Sequence, residues 1–388
     1  QALGLPGKSF VPLIVGFGCN VPSVMGARTL DAPRERLMTI MMAPFMSCGA
    51  RLAIFAVFAA AFFGQQGALA VFSLYVLGIV MAILTGLMLK HTIMRGEASP
   101  FVMELPVYHV PHLKSLVIQT WQRLKGFVLR AGKVIVIVSV FLSALNSFTL
   151  SGQAADNIND SALASVSRVI TPVFKPIGVH EDNWQATVGL FTGAMAKEVV
   201  VGTLNTLYTA ENIQEQEFDP AAFHLGHELL GAVEETWQSL KDTFSLSVLA
   251  NPIEASKGDG EMATGAMGVM SEKFGSASAA YSYLIFVLLY IPCISVMGAI
   301  ARESSRGWMG FSILWGLNIA YSLATLFYQT VNFSQHPRYS LVCILAVVLF
   351  NVIVLGLLRR ARSRIDIDLL AKRKTAATCC NSPAGDCH

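Results

Sequence analysis

Apolar runs long enough to cross a bilayer recur along the chain, divided by short polar turns. A helical crossing needs about 20 apolar residues. The runs at 37–63, 67–89, 279–301, 309–330 and 341–358 read as such spans. A shorter run at 134–150 reads as a sixth, starting near Phe127 with Arg130 and Lys133 snorkelling to the interface. Two further apolar stretches are interrupted. Residues 9–27 contain Pro12, Gly16, Gly18 and Pro22, and residues 184–208 contain Gly189, Gly193, Gly202 and the charged pair Lys197-Glu198. Broken backbone at membrane depth is tolerated only where protein buries it or a wet cavity adjoins it. The pattern predicts an all-α, polytopic transmembrane protein with broken or re-entrant segments, and it marks those two stretches as the places to look for a site.

Composition supports a lipid environment: of 388 residues 54% are hydrophobic and 14% charged, against about 25% charged in soluble domains. A disordered chain, a collagen-like fibre and a typical cytosolic enzyme are excluded. A net charge of +3 gives no ground for nucleic acid as a partner. The chain opens Gln1-Ala2-Leu3 with no basic stretch leading into an apolar one, which reads as a piece of a longer protein rather than a signal peptide. Seven cysteines, four of them in apolar segments, are no secreted disulfide framework.

Charge placement sets orientation. Residues 90–133 carry seven Lys/Arg and residues 359–374 seven more, so both are expected on the cytoplasmic side. Residues 209–278 carry twelve Asp/Glu against three Lys and are expected outside. Both basic regions lie inside, so the crossings between them must be even in number, and 184–208 is the stretch that enters and returns. The expected organisation is 1–89, a first gate-like repeat; 90–133, a basic cytoplasmic loop; 134–208, a helix plus the re-entrant segment; 209–278, an acidic external loop; 279–358, a second gate-like repeat; and 359–388, a basic, Cys-rich cytoplasmic tail. The repeat rests on Ser23-Val24-Met25-Gly26-Ala27, which recurs as Ser295-Val296-Met297-Gly298-Ala299, with Arg34 and Arg306 at the same offset.

Gly18-Cys19-Asn20-Val21-Pro22 places a thiol, an amide and a proline together inside lipid, and Pro292-Cys293 repeats the chemistry. Proline removes a backbone N–H and frees a carbonyl. Thiols with carbonyls and an amide oxygen suit a borderline ion such as Fe(II), Zn(II) or Mn(II); packing beside a kink is the alternative. Glu198 is read as a ligand or coupling group, because ionisable residues inside the membrane are costly. Arg51 is expected to meet a carboxylate, Glu198 among them, or exposed carbonyls. Met38, Met41, Met42 and Met46 read as soft packing. His224, His227 and Glu228 read as one face of an outer helix. The tail residues Cys379, Cys380, Cys387 and His388 form a soft-metal or redox set. Gly4–Ser9 mimics a phosphate loop but has Ala2 where its first glycine belongs. No nucleophile–base pair stands out, so the chain reads as no enzyme.

Residues 4–30 and 34–55 closely resemble the membrane half of FeoB-type ferrous iron transporters. So do residues 102–106, 183–190, 196–203 and 290–293, and the Cys-rich tail. The resemblance implies a bacterial inner-membrane Fe(II) importer with two gate motifs, falling here on Gly18 to Pro22 and on Pro292-Cys293. It maps the family's iron-handling membrane cysteines onto Cys19 and Cys293. The family also carries a GTP-binding G domain, which this chain lacks, so GTP would act only through that domain. Small FeoA-like and FeoC-like cytoplasmic partners are implied, and homo-oligomerisation is open. A transporter of another divalent metal or of a nucleoside-like solute, or a membrane fragment that transports nothing, are the remaining readings.

Overall fold

The computed structural model describes residues 4–94, 112–149, 161–195, 197, 199–212 and 264–380. The described residues contain helices and no strand. In chain order these are α1 (Phe10–Val15), α2 (Asn20–Gly26), α3 (Pro33–Met42), α4 (Gly49–Phe62), α5 (Gly67–Thr92), α6 (Leu113–Ser147), α7 (Ala162–Ile170), α8 (Trp184–Met195), α9 (Val199–Asn212), α10 (Thr264–Phe274), α11 (Ala277–Leu289), α12 (Ile294–Glu303), α13 (Arg306–Val331) and α14 (Pro337–Cys380). Among the described residues, five stretches are long and apolar enough to cross a membrane: Pro33–Phe62, Gly64–Thr92, Ala277–Glu303, Arg306–Val331 and Pro337–Arg360.

Two of these are not continuous helices. The stretch 37–63, expected as one span, is α3 and α4 separated by a 3-10 turn at Ala43–Phe45 and extended backbone to Cys48. Pro44 has no N–H to continue the ladder of α3, so the chain unwinds there. Pro292 does the same between α11 and α12. Residues 113–133, expected in a loop, instead form the first part of α6. Leu113, Leu116, Val117, Trp121 and Leu124 recur at helical spacing with no proline among them, so nothing stops the helix.

α11 lies at the centre and packs on α4, α5 and α13. Its residues 283–289 are almost wholly buried, as expected of a helix apolar all round. Residues 337–360 of α14 are as apolar but face outward: Leu341, Val342, Leu345, Leu349, Val352 and Leu357 are all exposed, the surface that lipid would cover. Hydrophobicity alone cannot hold such a helix in lipid, where the tails are equally apolar. Polar contacts do it: Asn318 Nδ2 donates to Asn351 Oδ1 at 3.1 Å, and Asn351 Nδ2 donates to Ser322 Oγ at 2.8 Å.

α8 and α9 form an antiparallel hairpin. The Tyr208 hydroxyl, late in α9, donates to Asn183 Oδ1, just before α8, at 2.7 Å. Tyr283 Oη from α11 donates to Ala186 O at 3.0 Å and ties the hairpin to the central helix. The legs have 12 and 14 residues, about 18–21 Å of helix, shorter than the ~30 Å hydrocarbon core.

Candidate functional site

Three cysteines stand at helix starts in three backbone breaks. Cys19 precedes α2, Cys48 precedes α4 and Cys293 precedes α12, each with extended ψ. All three thiols are free of disulfides; Cys19 is exposed and the other two are half-buried. Helix starts present N–H groups with no partner inside the helix. In each case a sulfur therefore sits beside broken backbone.

Local chemistry explains how the breaks are held. Pro22 lies in the first turn of α2, where its missing N–H costs least, yet it leaves the Gly18 carbonyl without its helical donor. Gly49 N–H supplies one at 3.3 Å. This bond joins the break at 16–19 to the break at 46–48 and brings the Cys19 and Cys48 segments side by side. The second copy closes differently. Gly316 of α13 lies against the freed end of α11, where a Cβ would come within 3.2 Å of Leu289 O and 3.3 Å of Tyr290 O.

Arg51 organises the middle break. It is completely buried. Its Nη1 donates to Pro44 O at 3.0 Å and to Met46 O at 2.9 Å. Among the described residues its partners are the exposed carbonyls that were expected; Glu198 lies outside the described residues. Leaving a buried carbonyl unmet costs about 1–3 kcal/mol, so the unwound segment needs a donor of this reach. Asn20 Nδ2 donates to the same Met46 oxygen at 3.3 Å. The amide nitrogen of Asn20 is thus committed to structure. Its Oδ1 is buried with no hydrogen-bond partner, which suits the expected role of a neutral oxygen ligand.

The α8–α9 hairpin reaches the same region. Lys197, at its bend, lies 4.8 Å from the centre of the Tyr290 ring. Tyr290, between α11 and Cys293, is within electrostatic reach of both Arg51 and Cys293. Tyr75 of α5 stands in the same relation to Cys48 and Arg51 and stacks on Phe17 beside the first break. Around Arg51 the structure thus gathers Cys48 and Cys293 together with Asn20, Tyr75 and Tyr290.

α2 and α12, the two copies of the repeated motif, pack against each other. Their C-terminal ends are joined by an ion pair in which Arg28 Nε donates to Glu303 Oε2 at 2.6 Å. The Glu303 carboxylate raises the Arg28 pKa above its ordinary value, through a hydrogen bond first and charge second.

Glu198, Cys387, His388 and the trio His224, His227 and Glu228 lie outside the described residues. Cys379 and Cys380 close α14. Met38, Met41, Met42 and Met46 are buried in the apolar core. Among the described residues no three His, Cys, Asp or Glu converge as a set able to hold a metal ion. Cys48 is the residue that sequence reasoning passed over. Its signal was Pro44 four residues upstream in an otherwise unbroken apolar run.

The model for nucleoside recognition proteins, Gate, matches residues 1–62 and 128–306. That match contains both gate breaks and the hairpin. The model for the ferrous iron transport protein B C terminus matches residues 71–123. Over all 388 residues the chain is 89% identical to the Fe(2+) transporter FeoB of Salmonella typhimurium LT2. It is 87% identical over 389 aligned residues to that of Escherichia coli K12. The chain belongs to the FeoB family. It spans about half the length of these curated relatives, 50% of each. No solved structure matches. Measured against the FeoB matches, the Cys19 and Cys293 breaks sit in the Gate region, and α5 with the start of α6 forms the FeoB C-terminal region.

Proposed function

We propose that the chain is the membrane permease portion of a ferrous iron importer of the bacterial inner membrane. The observation that carries this is the pair of gate cysteines, each at the start of a short helix, on two helices that pack together in a FeoB-family chain. Fe(II) enters from the side bearing the acidic segment 209–278 and passes a constriction built from Cys19, Cys293 and Glu198. Asn20 Oδ1 supplies a neutral oxygen. The ion leaves toward the basic regions 90–133 and 359–374. The thiols provide soft donors, and the freed carbonyls and amide provide harder ones, a mixture suited to a borderline ion. The α8–α9 hairpin enters from outside and returns, carrying Glu198 to the path.

In this reading the chain has no enzymatic step of its own. GTP acts through the family's G domain, and FeoA-like and FeoC-like proteins meet the cytoplasmic face, with the C-terminus on that side. The tail set Cys379, Cys380, Cys387 and His388 is a separate cytoplasmic iron contact.

The match to a nucleoside-recognition family favours one rival, a path for a nucleoside-like solute. Uptake by the complete transporter decides between them. With Cys19→Ser and Cys293→Ser, anaerobic Fe(II) uptake falls by about tenfold or more; Mn(II), Zn(II) or Co(II) compete weakly and nucleosides do not. Unchanged iron uptake with strong nucleoside competition would favour the rival.

A further inference from the structure

The first three turns of α6 leave an apolar face exposed. Every described residue from 112 to 122 is exposed. α6 packs on α7 near its other end, where Ala162 N–H donates to Phe148 O at 2.8 Å. Helical register puts Leu113, Leu116, Val117, Trp121 and Leu124 on one side; Leu113 is 76% exposed and Trp121 64%. Ser115, Gln119 and Gln122 fall on the opposite side. Lys114 and Lys125 lie three turns apart on one flank of the apolar side, and both are exposed. Water is a poor environment for such a face. Length shows where it stands. α6 has 35 residues, about 52 Å of helix, whereas the hydrocarbon core is ~30 Å thick. The apolar run of this helix starts near Phe127, so residues 113–125 project beyond the hydrocarbon on the basic side expected in the cytoplasm. Gly126 stands at the junction, a residue at which the backbone bends at small cost.

Charge selects the partner. Between Glu104 and Asp156 the chain carries Lys114, Arg123, Lys125, Arg130 and Lys133 and no Asp or Glu. A second copy laid along this face would set cations against cations. The other basic segment, 359–374, has seven Lys/Arg against two Asp and is repelled as well. An anionic bilayer surface satisfies both parts of the face: acyl chains take the leucines and Trp121, and headgroup phosphates take the lysines. We propose that residues 113–125 form an arm that folds at Gly126 onto the cytoplasmic leaflet and binds anionic phospholipid headgroups. The proposal rests on the cytoplasmic placement of this end and is independent of iron. Bound, the arm fixes the depth and tilt of α6 in the bilayer; salt weakens its hold by screening the lysines.

The test uses the purified chain, one copy per nanodisc, in phosphatidylcholine alone and in phosphatidylcholine mixed with phosphatidylglycerol. The signal is the emission of Trp121, taken as the difference between the unmodified chain and Trp121→Phe, and its quenching by lipids brominated high on their acyl chains. In the anionic discs this emission is blue-shifted and quenched, and high salt reverses both; in phosphatidylcholine alone the quenching is several-fold weaker. Lys114→Gln and Lys125→Gln each lower the ratio of bound to free arm by about fivefold, with the unfolding midpoint of the chain unchanged. Equal quenching in the two lipids, or quenching that the double lysine variant retains, overturns the proposal. Shielding of Trp121 only in discs that hold two copies also overturns it and assigns the face to self-association. Shielding that is identical in every lipid overturns it and assigns the face to another part of the chain.

Discussion

Arg28 and Glu303 lie 275 residues apart and form a two-point ion pair that joins the ends of the two gate helices. The pair is asymmetric: the arginine side chain is 60% exposed and the carboxylate only 5%. Solvent screening therefore limits its strength. A double-mutant cycle with Arg28→Gln and Glu303→Gln is expected to give about 0.5–1 kcal/mol of coupling. Exchanging the two charges recovers part of it. Glu303 holds the Arg28 pKa above its ordinary value. Stability from a raised cation pKa is present below the unfolded value and is lost only as pH climbs through the folded one. Thermal midpoints between pH 6 and 9 should therefore show no loss traceable to Arg28.

Arg51→Ala is expected to be among the most damaging single changes. It strands the Pro44 carbonyl in the interior, at about 1–3 kcal/mol, and leaves the Met46 oxygen with the longer bond from Asn20 alone. Arg51→Lys, with one compact ammonium, restores a fraction. Unfolding midpoints in nanodiscs give the order unmodified chain, Lys, Ala.

Gly193→Ala tests the docking of the hairpin on the second gate. An added Cβ would overlap the Tyr290 hydroxyl and come within 2.8 Å of Val200 Cγ2. Overpacking of this kind costs about 1–3 kcal/mol. Adding Tyr290→Phe removes one of the two obstructions, so the double variant should recover part of the loss, read from the same melts.

Asn351→Leu keeps α14 apolar and deletes its hydrogen bonds to Asn318 and Ser322. Such interhelical bonds are worth about 0.6–2 kcal/mol in lipid. α14 should become more accessible to protease while the rest of the fold is retained.

Much of this architecture was legible before any coordinates. Pro22 and Pro292 announced both gate breaks, because a residue without an N–H leaves the carbonyl four positions before it without its helical donor. Gly189, Gly193 and the Lys197-Glu198 pair announced the hairpin. The repeated Ser-Val-Met-Gly-Ala stretch marked the two helices that pack together. The break at 43–48 was hidden by hydrophobicity: Met41, Met42, Phe45 and Met46 keep the run apolar, and Pro44 alone betrayed it. Hydropathy also could not say that α11 is wrapped by protein while α14 faces outward, since both are apolar and only their neighbours differ. The link from Gly18 O to Gly49 N, and with it the place of Cys48, depends on tertiary contact that no local pattern encodes.

Iron handling by the gate thiols is open to one direct measurement. The direct measurement is anaerobic Fe(II) binding to the purified chain, compared with a Cys19→Ser/Cys293→Ser variant and with a variant lacking the tail cysteines. Binding is expected to survive loss of the tail and to fall by about tenfold or more in the double variant. Equal binding by the unmodified chain and the double variant would contradict it and return both cysteines to packing.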